Sequence, residues 1–255
     1  MNVSAPVLGR GKPDALLVAP SSSPMKGDVT FMLSELPEFT LNQVDEFDHP
    51  DRVVVKHDGN RYSKAREDRY AQGTAELVRA IQDIEPDEPY WEDLREISLR
   101  GKNLGSLHRL DELCYRLEEL DVSDNQISQV EGIPYAMRRL QAHHNSLTGL
   151  TSWATLGNLQ HLDVSNNDID SLDGLAELVH LRVLKVDNNK LKSLDSILHL
   201  DGLMELHAGG NDIDLVDFAR SNLKSLTDLD LRGNRLLEVR NVHRLSQLQH
   251  LNLGR

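Results

Sequence analysis

The chain has 255 residues, of which 39% are hydrophobic and 4% aromatic, and it carries a formal net charge of −13. The charge is spread along the chain, with 10 basic and 16 acidic side chains in residues 1–90 and 18 and 25 in residues 91–255. Nucleic acids and anionic membranes bind clustered basic surfaces, so this distribution argues against both as the main partner and leaves a protein as the expected one.

The first 70 residues predict little regular structure. They show no sustained hydrophobic periodicity and contain turn-forming stretches such as APSSSP and DHPDR. This composition is typical of a largely disordered segment, with a short strand expected only at 52–56.

Residues 71–92 predict a capping helix followed by a linker. Leu77, Ile81 and Ile84 recur at helical spacing, Thr74 is placed to act as the N-cap, and the prolines of EPDEP end the pattern. Such a helix would cover the exposed end of a following repeat array.

Residues 93–255 repeat the frame LxxLxLxxNxL. The first leucines of successive units are 23, 20, 22, 22, 22, 23 and 22 residues apart. This pattern predicts an α/β solenoid, a leucine-rich repeat horseshoe with units of about 22 residues, a parallel concave sheet and an N-terminal helical cap. The first unit departs from the frame, with Lys102 in the asparagine slot.

Each unit has a predictable internal layout. The frame leucines of a short strand point inward, and the asparagine satisfies backbone groups where the chain leaves the strand. A unit of about 22 residues has little room for a long convex helix, so short 3₁₀ or extended segments are expected there. The eighth unit begins at Leu248, and the sequence stops within its strand. We therefore expect the chain to be a fragment of a longer protein.

The predicted binding surface is the concave face. Side chains alternate across a strand, so the residues that flank the inner frame positions face the groove. They form a mixed-charge, mainly acidic surface suited to a protein or peptide partner. The predicted site residues are Glu119, Asp121, Arg139, Gln141, His143, His161, Asp163, Lys185, Asp187, Glu205, His207, Asp228, Asp230 and Arg232. In the same face, Ser123, Ser165 and Gly209 share one column and predict a shallow furrow.

No catalytic or metal site is predicted. Adjacent residues of a regular strand point to opposite faces, which argues against joint metal binding by His143 and His144. We expect His161 to lie about 13 Å from His143 along the strand direction, at ~3.3 Å per residue, which is too far for the two to share a metal ion. No serine has an oriented histidine and acid, and Cys114 falls where a buried small residue is expected. We therefore predict no enzyme activity and no cofactor.

Cysteine content and hydropathy favour the cytosol. A single cysteine excludes an intrachain disulfide and fits a reducing compartment. No apolar run approaches the ~20 residues of a membrane helix, and the start of the chain lacks the basic and apolar regions of a secretory signal.

Several segments resemble one particular family. FTLNQVDEF, AELVRAIQDIEPDEPYWEDLREISLRGKNL, LDELCYRLEELDVSDNQIS and LRVLKVDNNKL are similar to the fungal spindle-pole-body scaffold of the septation initiation and mitotic exit networks, whose animal counterpart is centriolin. The resemblance covers about residues 35–255.

The resemblance implies a non-enzymatic platform in the cytoplasm and cytoskeleton, at the spindle pole body or microtubule-organising centre. Its implied partners are a small Ras-like GTPase, the effector kinase of that GTPase and a spindle-pole anchoring protein, with no nucleic acid or membrane. In that family, phosphorylated docking motifs precede the repeats, and Ser23-Pro24 is the one proline-directed candidate here. A regulatory leucine-rich repeat subunit of a protein phosphatase is the alternative, because repeats of 22 residues also occur in a phosphatase regulator.

Overall fold

A computed structural model of the chain describes residues 59–254, with side chains from Tyr70 onward. The strand predicted at 52–56 and the Ser23-Pro24 pair lie outside the described residues. The described helices are α1 (Gly59–Ile84) and α2 (Leu110–Leu113). The described strands are β1 (Glu96–Ser98), β2 (Glu119–Asp121), β3 (Arg139–Gln141), β4 (His161–Asp163), β5 (Val183–Lys185), β6 (Glu205–His207), β7 (Leu215–Asp217), β8 (Asp228–Asp230), β9 (Glu238–Arg240) and β10 (His250–Asn252).

The strands form the parallel concave sheet that the repeat frame predicts. Within residues 59–254, eight strands pair in the order β1-β2-β3-β4-β5-β6-β8-β10, and β7 pairs with β9 in a small second sheet. The register matches frame position to frame position, so that Leu120 lies beside Leu140 and Leu140 beside Leu162. The leucine-rich repeat solenoid is confirmed.

The return segments of the repeats are short, as the repeat length predicts. They contain 3₁₀ turns at Asp173–Leu175, Asp195–Ile197, Phe218–Arg220 and Val242–Arg244. One continuous apolar core lies between these segments and the sheet, and the frame leucines of the middle units are essentially inaccessible to solvent.

The frame asparagines connect each repeat to the one before it. In the fifth unit, the Oδ1 atom of Asn189 accepts a hydrogen bond from the backbone N–H of Ile169 at 2.9 Å. Its Nδ2 atom donates to the carbonyl oxygens of Val164 at 3.0 Å and Val186 at 3.1 Å. Asn125, Asn145, Asn167, Asn211 and Asn234 repeat this arrangement. The predicted role of the asparagine is confirmed.

This repeated set of hydrogen bonds, the asparagine ladder, explains why the first unit has no asparagine at this position. The slot asparagine bonds to the turn of the preceding repeat, and the first unit is preceded by α1 instead. Lys102, which occupies the slot, places its Nζ atom 3.7 Å from a carboxylate oxygen of Asp83 on α1. The departure from the frame therefore suits a unit that packs against a helix.

Helix α1 covers the first repeat, but it begins earlier than predicted. Leu77 and Ile81 are fully buried in the common core, and Ile84 packs against it. The predicted helix start was wrong, because α1 begins at Gly59 and the boundary placed at residue 71 falls inside it. Thr74 is not an N-cap, since its hydroxyl donates to the carbonyl oxygen of Tyr70 within the helix at 2.9 Å.

The early start of α1 has a compositional cause. Residues 61–72 contain arginine, lysine, alanine, glutamate and glutamine, which favour a helix without any apolar periodicity. Among the described residues, no helix is both long and apolar enough to cross a membrane.

Candidate functional site

The predicted site residues lie together on the concave face. In the strands of the main sheet from β1 to β8 the central residue is directed into the core and its two neighbours face the groove, as in β4, where Leu162 is buried between His161 and Asp163. Eleven of the fourteen predicted residues are half-buried and none is fully buried. Arg139, Gln141 and Arg232 are the exposed ones.

Several acidic residues of the face also support the backbone. The carboxylates of Asp121, Asp163 and Asp230 each accept a hydrogen bond from the backbone N–H two residues later, at 2.9, 3.1 and 3.0 Å. This bond holds the chain where it turns out of the strand. Sequence reasoning missed this role, although the repetition of aspartate two residues before the turn is its visible signal.

Other charges of the face are paired with neighbours. The Nε atom of Arg139 lies 3.2 Å from a carboxylate oxygen of Glu119, and the Nδ1 atom of His250 lies 2.7 Å from one of Asp228. Solvent-exposed pairs of this kind contribute little to stability. These contacts engage the charged ends of Arg139, Glu119 and Asp228.

The centre of the groove carries polar groups that are not engaged in this way. A hollow of about 190 Å³ lies over β3, β4 and β5. Among the described residues, the side chains of Gln141, His161 and Lys185, which line it, make no hydrogen bond or ion pair. Val183 supplies an apolar wall that the predicted site omitted.

Lys185 supplies the positive charge of this central hollow. Burial, reinforced by the nearby Arg139 guanidinium, lowers the pKa of His161 from its usual 6.5, so this imidazole is neutral at pH 7. Arg139 also lines the hollow but is paired with Glu119, so among the described residues the Lys185 ammonium is its unpaired cation, beside Asp163 on the neighbouring strand.

The predicted furrow is wrong. Ser123 and Ser165 are buried rather than lining an open channel. At Gly209 the space is filled, because an added Cβ would meet the Asp187 carboxylate at 3.0 Å and the side chain of Arg232 at 3.1 Å. At Gly209 the column is therefore closed by the longer side chains beside it.

Asp187 is a residue of this face whose charged form is disfavoured by burial. Burial raises the pKa of its carboxyl group above the usual 3.8, and the hydrogen bond that it accepts from the Gly209 N–H, at 2.7 Å, offsets only part of that effect. A charge kept where it is poorly hydrated marks a candidate functional residue.

We expect Asp187→Asn to raise the melting temperature at pH 7 by about 1–2 °C. The amide oxygen can still accept the Gly209 N–H, while the cost of dehydrating a charge disappears. Because folding raises the pKa of Asp187 above 3.8, the contribution of this carboxyl group to stability is lost as the pH rises from 3.8 through its folded-state pKa.

Thermal melts of variant and wild type over a pH series test this sign, since the difference should narrow as the pH is lowered towards 4. A variant that melts below wild type at pH 7 would show that attraction between Asp187 and Arg232 outweighs dehydration.

The two histidines depart from the sequence prediction. His144 lies outside the strand with a φ of 54°, so it does not point to the opposite face from His143. Their rings pack edge to face with centroids 5.4 Å apart. One ring nitrogen of each histidine and a carboxylate oxygen of Asp124 lie within 4.8 Å of one another. The argument from strand alternation therefore fails at this position.

Cys114 lies where the sequence placed it. Its side chain is fully buried in the core, and burial raises the pKa of its thiol to about 11. A thiol with that pKa is protonated at neutral pH, which suits a core residue and not a nucleophile.

A further depression lies at the edge of the sheet, outside the predicted site. It has a volume of about 480 Å³ and is lined by the exposed Tyr115 and Tyr135. Its arginines are already paired, since Arg95 bonds to Glu118 and Arg116 to Asp93. The central hollow of the concave face is thus the less neutralised of the two surfaces.

Known proteins share both the repeats and their arrangement. Residues 157–199 match the family model for leucine-rich repeats in two copies. The septation initiation network scaffold protein cdc11 of Schizosaccharomyces pombe is 46% identical over 192 residues, which are 75% of this chain and 18% of that protein. The chain thus spans about a fifth of the length of this relative, and the resemblance read from the sequence motifs is confirmed.

Solved structures support the fold. A leucine-rich repeat protein of Leptospira interrogans is 25% identical, with a TM-score of 0.59 over 64% of this chain and 43% of that one. The functional domain of InlJ from Listeria monocytogenes is also 25% identical, with a TM-score of 0.51 over 61% and 33%.

Proposed function

We propose that this chain, a relative of the septation initiation network scaffold through its leucine-rich repeats, is a non-enzymatic protein-binding scaffold in septation or cytokinesis. It would act in the cytoplasm at the spindle pole body. The 46% identity over three quarters of the chain carries this proposal, because identity at that level over the repeats extends beyond the leucine frame.

The concave face is the proposed docking surface. Curvature gives repeat proteins an extended groove, and binding energy in protein interfaces concentrates near the centre of the contact. Here the centre holds the unengaged Gln141, His161 and Lys185 over an apolar floor of Leu140 and Leu162. We propose a small Ras-like GTPase, its effector kinase or a pole-anchoring protein as the partner.

Charge reversal at the centre of the groove tests this proposal. We expect Lys185→Glu to weaken capture of the partner about tenfold, because it adds negative charge to an acidic face and leaves any carboxylate of the partner unpaired. Lys192→Glu is the matched control, since it makes the same charge change at an exposed lysine of the same repeat.

The measurement is binding of purified GTPase, kinase and anchoring protein to each variant, together with recruitment of the tagged chain to the pole in dividing cells. Equal binding by Lys185→Glu and Lys192→Glu would contradict the concave site. Loss of partner binding in Tyr135→Ala, with binding by Lys185→Glu unchanged, would indicate that the partner binds at the edge depression. Preferential capture of a phosphatase catalytic subunit in the same panel would contradict the scaffold role.

A further inference from the structure

Asp124, His143 and His144 form a cluster of potential metal ligands at the rim of the concave face. One ligand atom from each lies within 4.8 Å of the other two. Asp124 follows β2 and the histidines follow β3, and a hydrogen bond of 3.0 Å from the Asp124 N–H to the His143 carbonyl oxygen joins the two turns. The cluster therefore rests on neighbouring repeats of the rigid stack.

The backbone explains how adjacent histidines can face one ion. His144 belongs to a column of residues with positive φ, one at the exit of each repeat strand. This column consists of Gly101, Asp124, His144, Asn166, Asn188, Gly210 and Gly233. Glycine, asparagine and aspartate are the residues that tolerate this conformation best, and His144 is the one imidazole of the column. The left-handed turn brings its ring beside that of His143.

The ligand groups are available to an ion. Among the described residues, neither imidazole makes a hydrogen bond with another side chain. Arg100 engages one carboxylate oxygen of Asp124, with its Nε atom 2.7 Å away, and leaves the other oxygen open. A hydrogen bond of this kind orients a ligating carboxylate, although the positive charge of Arg100 lowers the affinity for a cation.

A second observation comes from Ser123, which precedes Asp124 and lies opposite His143 in the sheet register. Its hydroxyl is fully buried and has no hydrogen-bond partner among the described residues. Buried hydroxyls of native proteins nearly always have a partner. The residue next to Asp124 therefore carries a polar group that no other described residue satisfies.

We propose that His143, His144 and Asp124 bind a divalent transition metal ion, with Zn²⁺ as the best match. Imidazole and carboxylate are ligands of zinc, and a site with three protein ligands leaves a fourth position to water. Bond lengths near 2.0–2.1 Å require ligand atoms about 3.3 Å apart in a tetrahedron. The side chains of His144 and Asp124 are exposed and not held by core packing, and the proposed site requires the ligand atoms to close from up to 4.8 Å to this spacing. The site does not depend on partner binding by the concave face.

The test is zinc titration of the full chain by calorimetry. Any histidine tag is removed first, because it would bind zinc itself, and the chain already has 11 histidines. We expect one site in wild type, weakened about tenfold or more in His144→Asn and in Asp124→Asn, because loss of even an outer partner of a metal ligand costs 10–100-fold. Asparagine preserves the left-handed backbone at both positions, as it does at Asn166.

The control is His180→Gln, which removes an exposed histidine outside the cluster and should leave the affinity unchanged. Zinc should also raise the melting temperature of wild type and of His180→Gln but not of the two cluster variants. Wild type that binds zinc no more tightly than His144→Asn would overturn the proposal and leave only adventitious binding by surface histidines.

Discussion

Replacement of Asn189 by alanine is expected to lower the free energy of unfolding by about 2–4 kcal/mol. The side chain is 8% exposed. Its Oδ1 atom accepts the Ile169 N–H, and its Nδ2 atom donates to the carbonyl oxygens of Val164 and Val186. Alanine leaves the Ile169 N–H without a partner, which costs about 1–3 kcal/mol. It also removes one donor each from the Val164 and Val186 carbonyl oxygens, which keep hydrogen bonds from Asn167 and Asn211.

Two further variants make the Asn189 result specific. Asn158→Ala removes an exposed asparagine whose one hydrogen bond is to the Tyr135 carbonyl oxygen, and it should cost less than about 0.5 kcal/mol. Asn189→Asp keeps an acceptor for Ile169 but places a carboxylate oxygen against the carbonyl oxygens of Val164 and Val186, so it should fold no better than the alanine variant. Urea unfolding measures all three. A loss for Asn189→Ala as small as that of Asn158→Ala would mean that the ladder contributes little.

Gly132→Ala is expected to destabilise the protein by about 3 kcal/mol or more. The glycine has a φ of 88°, and an added Cβ would lie 2.4 Å from the backbone carbonyl oxygen of Leu107 and 3.0 Å from the Arg109 nitrogen. Those atoms belong to the return of the preceding repeat, next to α2, and the Gly132 carbonyl oxygen accepts the Asp111 N–H at 2.7 Å. Relief of the clash would therefore pull two repeats apart.

Gly101→Ala separates the two causes of this loss. Gly101 has a comparable φ of 66° but no atom within 4 Å of an added Cβ, so alanine there incurs only the conformational cost of about 1–2 kcal/mol. Denaturant unfolding of both variants gives the comparison. Equal losses would show that the turn at Gly132 relaxes around the methyl group and that close packing of the returns is not needed.

The repeat frame was enough to predict the fold and the direction of the groove residues. Leucine spacing specifies which side chains are buried, and alternation along a strand then specifies that residues such as His161 and Asp163 face outward. The bonds of the slot asparagines followed from the same frame. These features are repeated in each unit, so one interpretation is tested several times along a single chain.

Features that depend on one residue or on long side chains were not predictable. The start of α1 depends on helix propensity without apolar periodicity, which the search for a buried stripe does not detect. The furrow failed because Asp187 and Arg232 cover Gly209, and rotamers of long side chains are not specified by sequence spacing. The placement of His144 beside His143 depends on a left-handed residue, and histidine is not among the residues that usually indicate one.

The asparagine ladder also implies an order in which the repeats fold during synthesis. Each repeat finds the partner for its exit turn in the asparagine of the next repeat, as Ile169 does in Asn189, 20 residues later. A ribosome therefore releases each unit before the residue that completes it has been made. Folding during synthesis would advance one repeat behind the growing chain, with the newest turn always open to exchange with solvent and each completed turn protected behind it.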